Sequence, residues 1–282
     1  MDCELERRLW LAATDGNLEE VRQLASDPLV NVNWLDEELN RTALYRACGR
    51  GRTEVLEYLL SHPRVDPNLR QSQKATPLIV ACFAGHTAVV SILLADPRID
   101  PNALDSDQNS SLWKAAQEGH LGVVQVLLAS GKGIETGVKS AFNGLTAADH
   151  GRQQPVVGLQ HYEVQADVGR RHANGPLCAS LIGEYERDPV AVSLRLRRLP
   201  GIREGYIGRT FALVIFVSDG FLVLREDEVP EETQRFFGVC ARLPLDLQMA
   251  LCNRMFGSPR NVVPSRDSET GFRWLARSTT WE

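Results

Sequence analysis

The chain lacks a long apolar run and lacks a block of like charge. Its longest apolar stretch, residues 211–217, resumes at 221 only after Ser218-Asp219-Gly220. That stretch is too short and too interrupted to cross a bilayer, and it predicts a buried helix instead. No run of Lys or Arg exceeds two residues, and the net charge is −5. Nucleic acid is therefore not an expected partner.

Closely spaced cysteines and an apolar N-terminal leader are also missing. The six cysteines include no Cys-x-x-Cys pair, so neither a zinc site nor a disulfide framework is indicated. We interpret Cys48 and Cys82 as small, buried and reduced, because they occupy the positions of Ala13 and Ala116 in a repeated pattern. Residues 1–8 are charged where a secretory signal is apolar. We expect a cytoplasmic or nuclear protein with no membrane partner.

Catalytic motifs are absent as well. The sequence contains no phosphate-binding glycine loop, no Gly-x-Ser-x-Gly and no His-Glu-x-x-His. His150, His161 and His172 recur every eleven residues, but without cysteine partners we interpret them as solvated side chains. The prediction is a non-enzymatic chain with no catalytic, cofactor-binding or metal-binding residue and no cofactor.

What the chain does contain is an internal repeat. Four similar blocks occupy residues 9–13, 44–48, 78–82 and 112–116, and each is followed by a glycine. The glycines are spaced by 35, 34 and 34 residues, and they are Gly16, Gly51, Gly85 and Gly119. A period of this length predicts stacked helical repeats that bury a continuous core and leave one long face free.

Each repeat also carries signals for a pair of helices. Thr76-Pro77 is typical of a helix start, since the threonine side chain caps an amide and proline needs no donor in the first turn. Thr42 and Ser110 occupy the matching positions. A second apolar helix follows each glycine, and Asp66-Pro67-Asn68 and its counterparts predict a turn into an extended finger.

This pattern resembles the ankyrin repeat, whose first helix begins Thr-Pro-Leu-His-x-Ala at a period near 33. The resemblance covers residues 8–128, and a degenerate fifth unit extends it to about 188. It implies an all-α ankyrin-repeat solenoid of helix-turn-helix units with short fingers. From the remaining sequence we expect a small helical C-terminal domain.

Two positions depart from the family pattern. The family histidine is replaced by Trp10, Tyr45, Ile79 and Trp113. We expect apolar packing there in place of an inter-repeat hydrogen bond. The family turn glycine is replaced by Asn40, Lys74 and Gln108. Only asparagine readily takes positive φ, so we expect less regular finger tips.

The predicted domains follow from where this pattern stops. Residues 1–152 are assigned to ankyrin repeats, 153–174 to an inserted loop, 175–189 to the last helix of the array and 190–282 to the helical C-terminal domain. The C-terminal domain is expected to contain helices near 190–198, 206–224, 230–242, 245–256 and 267–278.

One C-terminal segment, residues 243–256, resembles the opening of an F-box. The residues that match are Leu243, Pro244, Leu247 and Leu251. The resemblance implies docking to a cullin-type ubiquitin ligase, for which the chain would be a substrate adaptor. An ordinary proline-started helix explains the same residues.

Function is predicted from the free face of the array. The resemblance places nine residues on the concave face as partner contacts: Trp34, Arg46, Arg50, Gln71, Val80, Phe83, Asp105, Lys114 and Gln117. Exposed aromatic residues beside arginine are typical of interface hot spots. We therefore expect a non-catalytic module that binds a protein partner. The alternatives are the ligase adaptor and an enzyme with a site in the C-terminal domain.

Overall fold

A computed structural model of the protein describes residues 3–152, 165–219 and 231–256, together with 258, 260, 262–265, 267–268, 271–272 and 275. These residues form helices and turns, with one isolated bridge between Leu104 and Ser110. The chain divides into two compact units, residues 1–193 and 194–282. No helix in the described part of the chain is long and apolar enough to span a membrane.

The described residues of the first unit form five pairs of helices and the start of an eleventh helix. The pairs are α1 (Glu4–Asp15) and α2 (Leu18–Ser26), α3 (Ala43–Gly49) and α4 (Thr53–Ser61), α5 (Pro77–Ala84) and α6 (Thr87–Ala95), α7 (Ser111–Gln117) and α8 (Leu121–Ala129), and α9 (Ala147–Arg152) and α10 (Gln165–Arg187). The eleventh helix, α11, spans Pro189–Leu196.

The first helix of each central pair begins as the sequence predicts. The side chains of Thr42, Thr76 and Ser110 each accept a hydrogen bond from the backbone amide three residues later. Thr146 does the same at the start of α9. These caps satisfy amides that have no partner inside the helix, which is why Ser and Thr recur there.

The second helices form the core of the array. α2 packs on α4, α4 on α6, and α6 on α8. The equivalent leucines Leu59, Leu93 and Leu127 are fully buried in this stack. Each repeat thus covers the apolar face of its neighbour, as the 34-residue period requires.

An asparagine clamp joins each turn to the next. The Asn33 side chain donates to the Arg64 carbonyl at 2.7 Å and accepts from the Asp66 amide at 3.0 Å. Asn68 and Asn102 make the same two bonds one and two repeats later. This contact explains the asparagine that ends each turn motif.

A cation also recurs, at the end of each second helix. The Arg64 guanidinium donates to four carbonyls around the end of α2, and Arg98 donates to the Leu60 and Val65 carbonyls around the end of α4. Lys132 donates to the Asp96 carbonyl after α6 at 2.6 Å. Cations suit this position because the last carbonyls of a helix lack partners.

The fifth helix pair differs from its prediction. Residues 165–174, assigned to an inserted loop, belong to α10, which begins ten residues before the predicted start at 175. The helix thus begins before Pro176, which lies inside it. Residues 153–164, the rest of the predicted loop, lie outside the described residues.

A glycine pair allows α9 and α10 to approach closely. A Cβ on Gly151 would lie 2.6 Å from the Gly175 carbonyl oxygen, and a Cβ on Gly175 would lie 2.8 Å from that of Gly151. α9 packs on α7, and α10 on α7 and α8, so this pair continues the stack.

The second unit is a separate helical bundle with its own core. It contains α12 (Arg203–Ser218), α13 (Glu231–Cys240), α14 (Leu245–Met255) and helical residues between 265 and 275. The core side chains are Ile207, Phe211, Val214, Phe237, Cys240, Cys252 and Val263. α12 ends at Ser218, and Asp219 is the residue that follows it. Residues 220–224 of the predicted helix 206–224 lie outside the described residues.

Candidate protein-binding groove

The groove is defined by the exposed residues of the first helices and by the fingers that precede those helices. The finger tips are residues 36–41, 71–75, 105–109 and 140–145, and each is closed by a backbone hydrogen bond between its first and last residue. The helix positions that face the groove are Leu11 and Thr14, Arg46 and Arg50, Val80 and Phe83, and Lys114 and Gln117. None of these helix residues is fully buried.

The finger tips are regular, contrary to the prediction. Asn40, Lys74 and Gln108 all have positive φ, at 54°, 61° and 61°, and Gly144 has a φ of 68° at the matching place. Neighbouring fingers are joined by one repeated backbone hydrogen bond, in which an amide of one finger donates to a carbonyl of the preceding finger. The donor and acceptor residues are Ser72 and Leu39, Ser106 and Gln73, and Ala141 and Asp107, each pair at 2.8 Å. The prediction was wrong because the hydrogen bonds that close and join the fingers outweigh a conformational cost of about 1–2 kcal/mol per residue.

The aromatic residues at the family histidine position also correct a prediction. The Trp10 indole N–H donates to the Arg41 carbonyl at 3.1 Å, and the Trp113 indole N–H donates to the Leu145 carbonyl at 3.1 Å. Both bonds join one repeat to the finger of the next. The expected loss of the inter-repeat bond was wrong for the two tryptophans because indole, like imidazole, carries a ring N–H donor.

Two of the predicted contact residues have structural roles inside their fingers. Gln71 is buried, and its side chain accepts from the Gln73 amide at 2.8 Å. Asp105 is buried and accepts from the Asp107 and Asn109 amides. Asp36 plays the same part in the first finger, accepting from the Leu39 amide at 2.8 Å. Asp and Asn often stabilise turns in this way, so this signal was present in the sequence.

The charge of these finger carboxylates is balanced locally. Arg41 contacts Asp36 at 2.6 Å, and Lys114 contacts Asp105 at 3.3 Å. Burial raises the pKa of Asp36, but hydrogen bonds from the Leu39 amide and from Arg41 outweigh it and hold the pKa below its ordinary value of 3.8. Lys114, another predicted contact, is therefore held by an ion pair within the chain.

Four other predicted contacts lie open in the middle of the groove. Phe83 is 48% exposed, so it is not covered by the next repeat. Val80 is half-buried, and its side chain lies 3.2 Å from where a Cβ on Gly49 would stand. Arg50 is exposed, and Arg46 is half-buried with its guanidinium 4.7 Å from the centre of the Trp10 ring. The structure thus brings two arginines and two apolar side chains together on adjacent repeats.

A cleft of about 410 Å³ lies between α1 and the first finger. Its walls include Glu4, Arg7, Trp10 and Leu11 from the helix and Trp34, Glu37 and Glu38 from the finger side. Trp34 is half-buried there. The cleft combines two indole rings with carboxylates. The sequence analysis missed it because it named Trp34 without the residues of α1 that lie opposite.

Gln117, the ninth predicted contact, is half-buried on α7.

Comparison with known families bears on this region. The family model for ankyrin repeats (3 copies) matches residues 5–71 and 63–140. The N-terminal part of the chain is an ankyrin-repeat array. A comparison with curated proteins gives no match. Ankyrin repeats are generally protein-interaction modules and are typically non-catalytic. In this array, equivalent groove positions carry different residues, such as Arg46, Val80 and Lys114.

The thiols near the ankyrin core show no features of reactive cysteines. Cys48 and Cys82 are buried and unpaired, and burial raises the pKa of both thiols. Burial likewise raises the pKa of Cys178 to about 11. A thiol with a raised pKa stays protonated near neutral pH and is a poor nucleophile.

Of the three histidines considered as metal ligands, the structure describes the side chain of His150 alone. Within the described residues, no three His, Cys, Asp or Glu side chains group closely enough to hold a metal ion. His150 packs edge-on against Trp113, with ring centres 4.8 Å apart. His161 lies outside the described residues, as does the side chain of His172.

The residues of the F-box-like segment divide between surface and core. Leu247 is 50% exposed and Pro244 is also exposed. Leu251 packs partly against the core of the second unit, and Leu243 is half-buried. Between them, the buried Gln248 side chain donates to the Cys240 and Leu243 carbonyls. The start of α14 is thus tied to the end of α13 while Leu247 faces outward.

Proposed function

We propose that the protein binds a protein partner along the groove, without catalysis. The observation that carries this proposal is the exposure of Phe83 beside Arg46 and Arg50. Gln71, Asp105 and Lys114 are used within the fold, whereas Phe83 is 48% exposed, Arg50 is exposed and Arg46 is half-buried. An aromatic side chain next to arginine on a concave face is the composition expected of a binding hot spot.

The cleft extends the proposed surface toward the start of the array. Trp34 lines the cleft and offers a flat apolar surface with a free N–H edge, since no hydrogen bond to its indole is formed among the described residues. A partner segment lying along the groove would pass from the cleft over Arg46 and Arg50 to Phe83. Binding along several repeats is the usual use of such extended concave surfaces.

The test is affinity capture from a native cell extract followed by identification of the captured proteins. The intact chain is compared with Arg46→Ala/Phe83→Ala, and with Leu29→Ala as a control for an exposed residue in the turn after α2. We expect the double variant to lose the captured proteins while its helical circular dichroism is unchanged. Equal capture by all three proteins would place the interface elsewhere.

A second candidate function, adaptor of a cullin-type ubiquitin ligase, is favoured by the outward position of Leu247 and Pro244. Its test is the same capture experiment with Leu247→Asp, and with Val239→Asp, an exposed residue of α13, as the control. Ligase subunits recovered with the intact chain and Val239→Asp but lost with Leu247→Asp would support the adaptor. Their absence from every sample would contradict it.

A further inference from the structure

Arg46 of α3 and Arg50, the residue that follows α3, form a pair of like charges. Arg46 and Arg50 lie four residues apart, so both project from one side of the helix. Neither forms an ion pair in the described part of the chain, and the Nε of Arg46 contacts only the hydroxyl of Thr14, at 3.3 Å. Like charges at this spacing weaken a helix by about 0.2–0.5 kcal/mol. Arg46 is stabilised by its position over the Trp10 ring, but the like charge of Arg50 opposes it, so the pairing of the two charges does not itself stabilise the fold.

The surroundings of the pair add to its positive charge. The neighbouring finger, residues 69–76, contains Arg70 and Lys74 and no acidic residue. At the position equivalent to Arg50, the preceding repeat has Asp15, which forms no ion pair with either arginine. Two of the other three fingers differ, since the first contains Asp36, Glu37 and Glu38 besides Arg41, and the third contains Asp105 and Asp107. Positive charge is thus concentrated at α3 and the second finger.

The like charges affect the arginine itself. Burial, and then the nearby Arg41 and Arg50, lower the pKa of Arg46 below its ordinary value, and Asp36 and Tyr45 offset only part of this change. Arg41 is paired with Asp36 and Glu38, so the uncompensated neighbour is Arg50. An incoming carboxylate would offset this repulsion and complete the hydrogen bonding of the two guanidinium groups.

We infer that Arg46 and Arg50 receive the carboxylate of an acidic partner segment, and that an apolar side chain next to that carboxylate packs on Phe83. This inference rests on the proposed function. Val80, which lies against Gly49, forms the apolar floor between the two points. A nucleic acid does not fit, because the acidic fingers on either side would repel a continuous chain of phosphates.

The test uses random peptides displayed on phage and selected against the whole protein. We expect the selected peptides to contain an excess of Asp and Glu beside apolar residues. Binding of a synthetic copy of one selected peptide should weaken about 10- to 100-fold in Arg46→Gln/Arg50→Gln, because charge-assisted hydrogen bonds are lost. The control is Arg22→Gln, an exposed arginine of α2 that stacks on Tyr58 away from the groove, and it should bind as the wild type does.

Phe83→Ala separates the two proposals. Two results would overturn the carboxylate site while the proposed binding along the groove still holds. In the first, the peptides lose affinity in Phe83→Ala but contain no excess of Asp and Glu. In the second, peptides that lose affinity in Phe83→Ala bind Arg46→Gln/Arg50→Gln as well as the wild type. Peptides insensitive to both variants, or a complete failure to select any, would overturn the groove as well. Unchanged thermal midpoints show that neither variant acts through unfolding.

Discussion

The ankyrin array and the second unit are stabilised in different ways. In the array, each important contact exists in several copies: the asparagine clamp at Asn33, Asn68 and Asn102, and the helix-end cation at Arg64, Arg98 and Lys132. In the second unit, contacts such as those of Gln248 occur once, around one core. Repetition separates the two roles of a repeat, because clamp residues recur while groove residues vary. It also supplies a matched control for many substitutions.

The largest expected effects come from the two cores. Phe211→Ala should lower the free energy of unfolding of the second unit by about 3–5 kcal/mol, and Leu93→Ala should lower that of the array by about 2–5 kcal/mol. Phe211 and Leu93 are both buried, so each substitution leaves a cavity. Hydrogen exchange measured by mass spectrometry shows which helices lose protection in each variant.

The distribution is what distinguishes the two units. For Leu93→Ala we expect faster exchange in α4, α6 and α8 and less change in α2, because each repeat contacts only its neighbours. For Phe211→Ala we expect a uniform increase over α12, α13 and α14. An equal loss of protection along the whole array in Leu93→Ala would contradict this difference between the two units. The control is Leu29→Ala, at a residue that is 87% exposed, and it should change hydrogen exchange little in either unit.

Local signals made the array predictable from its sequence. The caps at Thr42, Thr76 and Ser110 depend only on residues three positions apart, and the core leucines follow the helical period. The start of α10 was not predictable in this way, since its first residues show no apolar stripe and proline, here Pro176, is unfavourable inside a helix. Propensity was outweighed there by the packing of α10 on α9.

The groove was predictable only in part, and for a physical reason. The repeat register gives the position of a side chain, which was enough to predict that Phe83, Arg46 and Arg50 are not buried in the core. It does not give what the side chain touches, so Gln71 and Asp105 were named as contacts although they close their own fingers. The cleft depends on α1 and the first finger lying opposite one another, and no local signal reports that.

The glycine contact in the fifth helix pair is expected to give the next largest effect. Gly151→Ala should destabilise the array by about 1–3 kcal/mol, because the new Cβ would meet the Gly175 carbonyl and separate α9 from α10. Gly183→Ala in α10 is the control, since its Cβ would have only the flexible end of Arg152 nearby, at 3.7 Å. It should stabilise the helix by about 0.5–1 kcal/mol. Urea unfolding followed by circular dichroism measures both, and a neutral Gly151→Ala would contradict the close approach.

The inter-repeat tryptophan bonds can be removed with little change in shape. Trp113→Phe should lower the free energy of unfolding by about 1–2 kcal/mol, because the Leu145 carbonyl loses its donor and some packing is lost. Trp10→Phe should show a similar loss through the Arg41 carbonyl. The same urea experiment measures these changes, and Ile79→Val, at a position without a side-chain donor, shows the cost of lost volume alone. Equal effects in all three variants would mean that the indole bonds add nothing.

The smallest expected effect concerns the finger tips, where glycine substitutions should raise the free energy of unfolding rather than lower it. Lys74→Gly and Gln108→Gly should each stabilise the array by about 0.5–1 kcal/mol, because glycine takes positive φ without the steric cost that a side chain has. The gain is smaller than that full cost because glycine also increases the entropy of the unfolded chain. Asn40→Gly should stabilise the array less, since asparagine tolerates this conformation.

The reverse substitution is available in the fourth finger. Gly144→Ala should lower the free energy of unfolding by about 1 kcal/mol, because nothing lies within 4 Å of the added Cβ and only the backbone angle can oppose it. Unfolding midpoints that rank the four variants in this order would show that the backbone angle at one turn position sets the stability of each finger. A destabilising Lys74→Gly would mean that the lysine side chain contributes more than its backbone conformation costs.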